Sequence, residues 1–196
     1  MAADLTTDKA ALRARALAAR AAGGDGAALQ ANLHDALTPH GGAMLAGYWP
    51  MRGEPDPRPA LAAHDGPVCL PVVPGPAMPL LFRLWRGEPL VCGPWGTSHP
   101  SDSAPLVEPA VVIVPLVGFD LRLHRLGYGG GFYDRTLEKL RKHAPVTAIG
   151  LAWAAQALPE IPDEPTDQPL DMIVTDKTIL RASDSGGAVD RSVDNA

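Results

Sequence analysis

The chain has 196 residues, 46% of them apolar and 20% charged, with a net charge of −5. This balance is enough for a well-buried core and excludes wholesale disorder. An acidic surplus argues against a broad nucleic-acid surface, which is usually basic, while a local cluster of Arg and Lys still suffices for a small anion.

The cysteines, Cys69 and Cys92, make neither a disulfide framework nor a zinc spacing, and buried free thiols are expected at both. Met1 to Lys9 lacks the basic start and apolar block of a signal peptide. The apolar stretch around 110–119 is broken by Pro115 and is too short for a bilayer. A cytoplasmic chain is expected, with no nucleic-acid and no membrane partner, as a monomer or weak homodimer.

In chain order, a helix is expected over 8–22, capped by Thr7 or Asp8 and stopped by Gly23-Gly24. Lys9 and Arg13 lie four apart on one face of it, either to meet an anion jointly or as ordinary solvated charges. A second helix over about 26–37 follows from Leu29, Leu33 and Leu37 at helical spacing. Met44 to Trp49 reads as a first buried strand, and Pro50 to Pro59 as a proline-rich loop carrying Glu54 and Asp56. A short helix is expected over 58–64, and strands over 67–73 and 80–86. Residues 87–109, with five prolines and three glycines, read as a long irregular crossing. A central strand over 110–115, a helix from about 131 to 142, and last strands at Val146–Leu151 and Met172–Thr175 complete the pattern. Strands alternating with helices predict a three-layer α/β/α sandwich with a mainly parallel sheet. One domain is expected over 1–181, with 182–196 as a polar tail.

The chemistry concentrates in Arg125-Leu-Gly-Tyr-Gly-Gly-Gly-Phe-Tyr-Asp-Arg135, between the central strand and the following helix. Three consecutive glycines alone are equally a flexible turn. Flanked by Arg125, Asp134 and Arg135, they point to phosphate cradled by backbone N–H groups and a helix N-terminus, with Asp134 as a hard oxygen ligand for Mg²⁺. The loop is not a Walker A sequence, because no Gly-Lys pair occurs in the chain. It is not the dinucleotide fingerprint either, since Phe132 occupies the third glycine position.

Phe119-Asp120 followed by Arg125 to Arg135 resembles the signature of the 5-formyltetrahydrofolate cyclo-ligase family, also called methenyltetrahydrofolate synthetases. Further matches run in order along the chain: Lys9-Ala-Ala-Leu-Arg13, Tyr48-Trp-Pro50 with Glu54 and Asp56, Leu81-Phe-Arg83, Gly150-Leu-Ala with Gln156, and Asp167-Gln-Pro-Leu-Asp171 with Val174-Thr175. The resemblance implies an ATP- and Mg²⁺-dependent cyclisation of 5-formyltetrahydrofolate to 5,10-methenyltetrahydrofolate, with release of ADP and phosphate. It implies Lys9, Arg13, Arg125, Leu126, Gly127, Tyr128, Gly129, Gly130, Gly131, Phe132 and Tyr133 around ATP, and Asp134 with Asp167 for Mg²⁺. It places Tyr48, Met51 and Glu54 at the folate, with Arg125 and Tyr133 as the catalytic pair.

Three positions depart from the family pattern. Leu123 stands where a glycine is common, so a different local turn is expected, because Leu adopts positive φ only at a cost. Gly130 replaces a lysine found in some relatives, and Thr166-Asp167 replaces a frequent His-Asp. Other readings of the same residues are an ATP-binding paralogue acting on another substrate, a sensor without turnover, and a sugar-phosphate isomerase-like protein.

Overall fold

The computed structural model describes residues 2–182. Apart from Ala182, the expected tail lies outside the described residues. Helix α1 (Ala2–Ala21) begins well before the expected start at 8, so neither Thr7 nor Asp8 stands at its end. Helix α2 (Gly26–Leu37) is capped by Asp25, whose carboxylate accepts the N–H groups of Ala27 and Ala28 at 3.0 and 3.1 Å. Strand β1 (Leu45–Ala46) and helix α3 (Arg58–Ala63) precede strands β2 (Val68–Val72) and β3 (Leu81–Trp85). The crossing that follows carries β4 (Val91–Cys92), β5 (Ser98–His99) and β6 (Leu106–Val107). Then come β7 (Val111–Pro115), β8 (Gly118–Phe119), β9 (Arg125–Leu126), helix α4 (Phe132–Arg141), β10 (Thr147–Leu151), β11 (Met172–Val174) and β12 (Ile179–Arg181).

Eight strands form one sheet in the order β12-β11-β10-β7-β1-β2-β3-β6. The inner strands from β11 to β2 pair in parallel, and β12, β3 and β6 are antiparallel additions at the two edges. Alternate residues point to opposite faces. Val112, Val114, Ala148 and Ile173 pack against Leu137 and Leu140 of α4. Val111, Ile113, Ile149 and Val174 pack against Leu29, Leu33 and Leu61 of α2 and α3. Each leucine so buried contributes about 1.5–3 kcal/mol by its transfer from water. Helices on both faces of a mainly parallel sheet give the expected sandwich.

Several local expectations are corrected. The first strand keeps two residues rather than running from 44 to 49. Beyond Gly47 the chain turns away, and the Tyr48 hydroxyl donates to the Pro55 carbonyl at 2.6 Å, closing the next loop on itself. The 87–109 crossing is ordered: β4 and β5 form a hairpin, and β6 extends the main sheet beyond β3. Arg83 ties it down by donating to the carbonyls of Asp102 and Ala104 at 2.7 and 2.6 Å. Of the thiols, Cys69 is buried and Cys92 is exposed; burial pushes the Cys69 thiol up to about 12.

Leu123 adopts φ +65°, the left-handed conformation that a glycine would take. The turn is imposed by the buried carboxylate of Asp120, which accepts the N–H groups of Arg122, His124 and Ile161 at 2.9, 3.1 and 3.0 Å. The Leu123 side chain is itself buried in the core on the α4 face, which offsets the backbone cost. Leucine thus holds a backbone conformation that favours glycine.

Among the described residues no helix is long and apolar enough to cross a membrane.

Candidate active site

The glycine loop does not follow the central strand directly. After β7 the chain makes a small ribbon, β8 paired with β9, in which Phe119 faces Arg125. Leu126 is buried against Ala16 of α1, and its carbonyl accepts the Val117 N–H at 2.7 Å, so it anchors the loop. Gly129 has φ +93° and Gly131 has φ +61°, conformations that side-chain-bearing residues rarely adopt. Gly131 immediately precedes α4. Among the described residues, the amides of Gly127, Gly129, Gly130 and Gly131 donate no hydrogen bond. Free N–H groups at the positive end of a helix make a site for an anion.

Helix α1 lies across this loop. Lys9, Arg13 and Arg20 fall on one face because spacings of four and seven residues return nearly to the same angle. Arg13 Nε donates to the Gly127 carbonyl at 2.9 Å, and a Cβ on Gly129 would come 3.5 Å from Arg13 Nη2. Lys9 Nζ is 2.8 Å from Glu164 Oε1 and 3.6 Å from Asp167 Oδ2. Lys9 is thus paired with carboxylates and Arg13 with the loop backbone, so neither is simply a solvated charge. Arg20 donates to the Tyr128 hydroxyl at 2.7 Å.

Arg125 is nearly buried, its side chain 6% exposed, and it donates to Asp134 Oδ1 and to the Gln168 carbonyl. Desolvation lowers its pKa, and the Asp134 carboxylate opposes that shift. The Gln168 N–H also donates to Asp134 Oδ1, at 3.0 Å. One hydrogen bond thus brings Asp134 to the residue beside Asp167, joining the two sequence-predicted metal ligands through the loop between β10 and β11. Asp167 Oδ2 accepts the Glu164 N–H at 2.9 Å. Among the described residues no three His, Cys, Asp or Glu side chains gather as a metal cage. Mg²⁺ commonly takes one or two carboxylates and completes its shell with phosphate and water, and this pair beside an anion-binding loop fits that habit.

The other side of the site is built from the 50–57 loop. Glu54 Oε2 accepts the Met51 N–H at 3.1 Å, which fixes a tight turn through Arg52 (φ +51°) and Gly53 (φ +73°). Burial raises the Glu54 pKa, outweighing the Met51 N–H, Arg20 and Arg52. Burial also pushes the Tyr133 phenol well up, followed by repulsion from Glu54, so it stays protonated; Arg125 acts on it in the opposite sense. Tyr133 therefore feels both ends of the site. Tyr48 is a buried residue whose visible role is to hold the loop through Pro55. Phe132 packs with Trp95 at a centroid distance of 5.7 Å, so the β4–β5 hairpin reaches the glycine loop.

The arrangement brings together Lys9, Arg13, Arg125, the glycine amides, Asp134 and Asp167, with Tyr133 near enough to Glu54 to feel its charge. Sequence reasoning missed Arg20, Arg52 and Glu164. Arg20 was findable from its helical spacing to Lys9 and Arg13. Arg52 and Glu164 carry no pattern that separates them from loop charges.

Comparison with known proteins shows the family and the fold. A 5-formyltetrahydrofolate cyclo-ligase of Mycolicibacterium smegmatis is 32% identical over 152 residues, covering 69% of this chain and 75% of that one. The Escherichia coli K12 enzyme of the same name is 45% identical over 74 residues, 38% of this chain and 40% of that one. The chain thus matches two fifths of the E. coli relative's length. Among solved structures, a 5,10-methenyltetrahydrofolate synthetase from Mycoplasma pneumoniae superposes with a TM-score of 0.67 at 25% identity, covering 86% of this chain and 99% of that one. That of Aquifex aeolicus shares the fold, with a TM-score of 0.71 at 24% identity over 94% of this chain and 97% of that one. Residues 6–176 match the 5-formyltetrahydrofolate cyclo-ligase family, and the chain belongs to it.

Proposed function

We propose that this chain cyclises 5-formyltetrahydrofolate to 5,10-methenyltetrahydrofolate, converting ATP to ADP and phosphate with Mg²⁺. The observation that carries the reading is the meeting of two unlike half-sites. Cations and free amides gather around the glycine loop, and the half-buried Glu54 and Tyr133, which influence each other electrostatically, adjoin them. Family membership supplies the substrates.

A formamide oxygen is a poor leaving group, which explains the need for ATP. The formyl oxygen attacks the γ-phosphorus, the bond to the β-phosphate oxygen breaks, and ADP departs. N10 then attacks the activated formyl carbon and loses its proton, and the C–O bond breaks with phosphate as the leaving group. The protein's work is alignment and charge neutralisation. Lys9, Arg13 and Arg125 would hold phosphate oxygens beside the amides of Gly127, Gly129, Gly130 and Gly131. Asp134 and Asp167 would hold Mg²⁺, which when bound spreads the negative charge of the β- and γ-phosphates. Glu54 would hydrogen-bond the pterin or N5-formyl region, with Met51 and Tyr48 forming its wall. Tyr133, kept as a neutral phenol, would orient the formyl group against the phosphate by a hydrogen bond.

The test is the near-UV absorbance of 5-formyltetrahydrofolate mixed with protein and Mg²⁺, with and without ATP. The methenyl chromophore should grow only with ATP. No growth from folded protein that binds ATP would overturn the substrate assignment.

A further inference from the structure

Arg20 is 3% exposed, and among the described residues no carboxylate pairs with it. A buried guanidinium without an acid is costly unless its donors are otherwise engaged. Arg20 spends them on two other elements: Nη1 donates to the Tyr128 hydroxyl at 2.7 Å and Nη2 to the Leu116 carbonyl at 2.6 Å. Its Nε is buried and unpartnered. A Cβ on Gly53 would lie 3.9 Å from the Arg20 Cδ, so the 50–54 turn passes near the same side chain.

A second arginine closes the link. Arg52 holds a left-handed backbone, strained for a residue with a side chain, and its guanidinium lies 5.5 Å from the centroid of the Tyr128 ring. Tyr128 belongs to the glycine loop, and Arg52 sits inside the turn that Glu54 closes through the Met51 N–H. One aromatic side chain is therefore gripped from α1 at its hydroxyl and from the 50–54 turn at its ring.

We propose that Arg20 and Arg52 are positioning residues that couple the two half-sites through Tyr128, so that nucleotide and folate each bind more tightly when the other is present. The inference rests on the proposed function for the identity of the two ligands. Its physical basis is shared ordering. A ligand that fixes the glycine loop fixes Tyr128 and hence the turn bearing Glu54, and the second ligand then has less to order. By linkage the effect is reciprocal.

The test is calorimetric titration of the full chain with 5-formyltetrahydrofolate, with and without Mg²⁺ and a non-hydrolysable ATP analogue. Wild type should bind folate about 3- to 10-fold more tightly with the analogue present. Arg52→Gln should bring that ratio close to one, whatever change it makes in the binding of each ligand alone. Arg52→Lys, which keeps a cation near the ring, should retain part of the ratio. Tyr128→Phe, which keeps the ring and drops the Arg20 hydrogen bond, should lower it and avoids burying an altered cation. A purely structural role would lower the melting temperature and leave the ratio intact. A ratio of one in wild type, or an unchanged ratio in Arg52→Gln, overturns the coupling. Failure of wild type to bind either ligand overturns the functional reading itself, and the coupling with it.

Discussion

The two half-sites solve opposite electrostatic problems. Around the glycine loop the charges are paired with one another, Arg125 with Asp134 and Lys9 with Glu164 and Asp167. Under the proposed function, these are contacts that a phosphate and a divalent cation would exchange, the arginine passing to phosphate and the carboxylate to metal. In the 50–57 loop Asp56 pairs with Arg58, whereas no ion pair holds Glu54 among the described residues, and burial pushes Glu54 and Tyr133 toward their neutral forms. One half is a set of ion pairs, and the other is centred on partly desolvated groups. The comparison teaches that the first half is tuned by competition and the second by desolvation.

The largest effect should come from breaking the exchange at its centre. Asp134→Ala should lower Mg²⁺-dependent turnover by about 100-fold or more while circular dichroism stays native, and normal turnover would overturn the metal assignment. On the desolvated side, Glu54→Gln should raise the KM for folate by about 10- to 100-fold with much less effect on that for ATP. Equal losses for both substrates would place Glu54 elsewhere.

The same substitution tests the desolvation argument through stability. Burial raises the Glu54 pKa in the folded state, so its ionisation opposes folding as pH rises from the ordinary value of about 4.3 through the raised one. Glu54→Gln should therefore melt above wild type at about pH 8 and converge with it below about pH 4. A gain that persists at low pH would show that the carboxylate's charge is not its cause. The smallest expected effect is at Glu164, half exposed beside Lys9. Glu164→Gln removes a competitor for phosphate and should lower the KM for ATP by about twofold. A rise would mean that the pair holds Lys9 in place instead of restraining it.

Much of the architecture was legible because it rests on local pattern. The leucines of α2, the Val-rich β7 and the Gly127–Gly131 run announce themselves through period and composition. What escaped did so for identifiable reasons. The β8–β9 ribbon and the edge strand β6 are two residues each, too short to carry a period. The order in 87–109 comes from Arg83, which lies outside the segment it ties down. The positive φ of Leu123 is not legible in the residue type, because the buried Asp120 carboxylate that imposes it acts through the turn.

The sequence by itself determined the fold class, the glycine-rich turn before α4 and the residue types available for chemistry, since these follow from periodicity, glycine geometry and charge. Only the tertiary structure decided which charges meet. Arg125 and Asp134 pair across a turn, and Lys9 reaches Glu164 from the far end of the chain. Arg20 reaches Tyr128 through the packing of α1 over the strand ends. Such contacts depend on helix angle, burial and the desolvation they bring, and none of these is written in the spacing of residues along the chain.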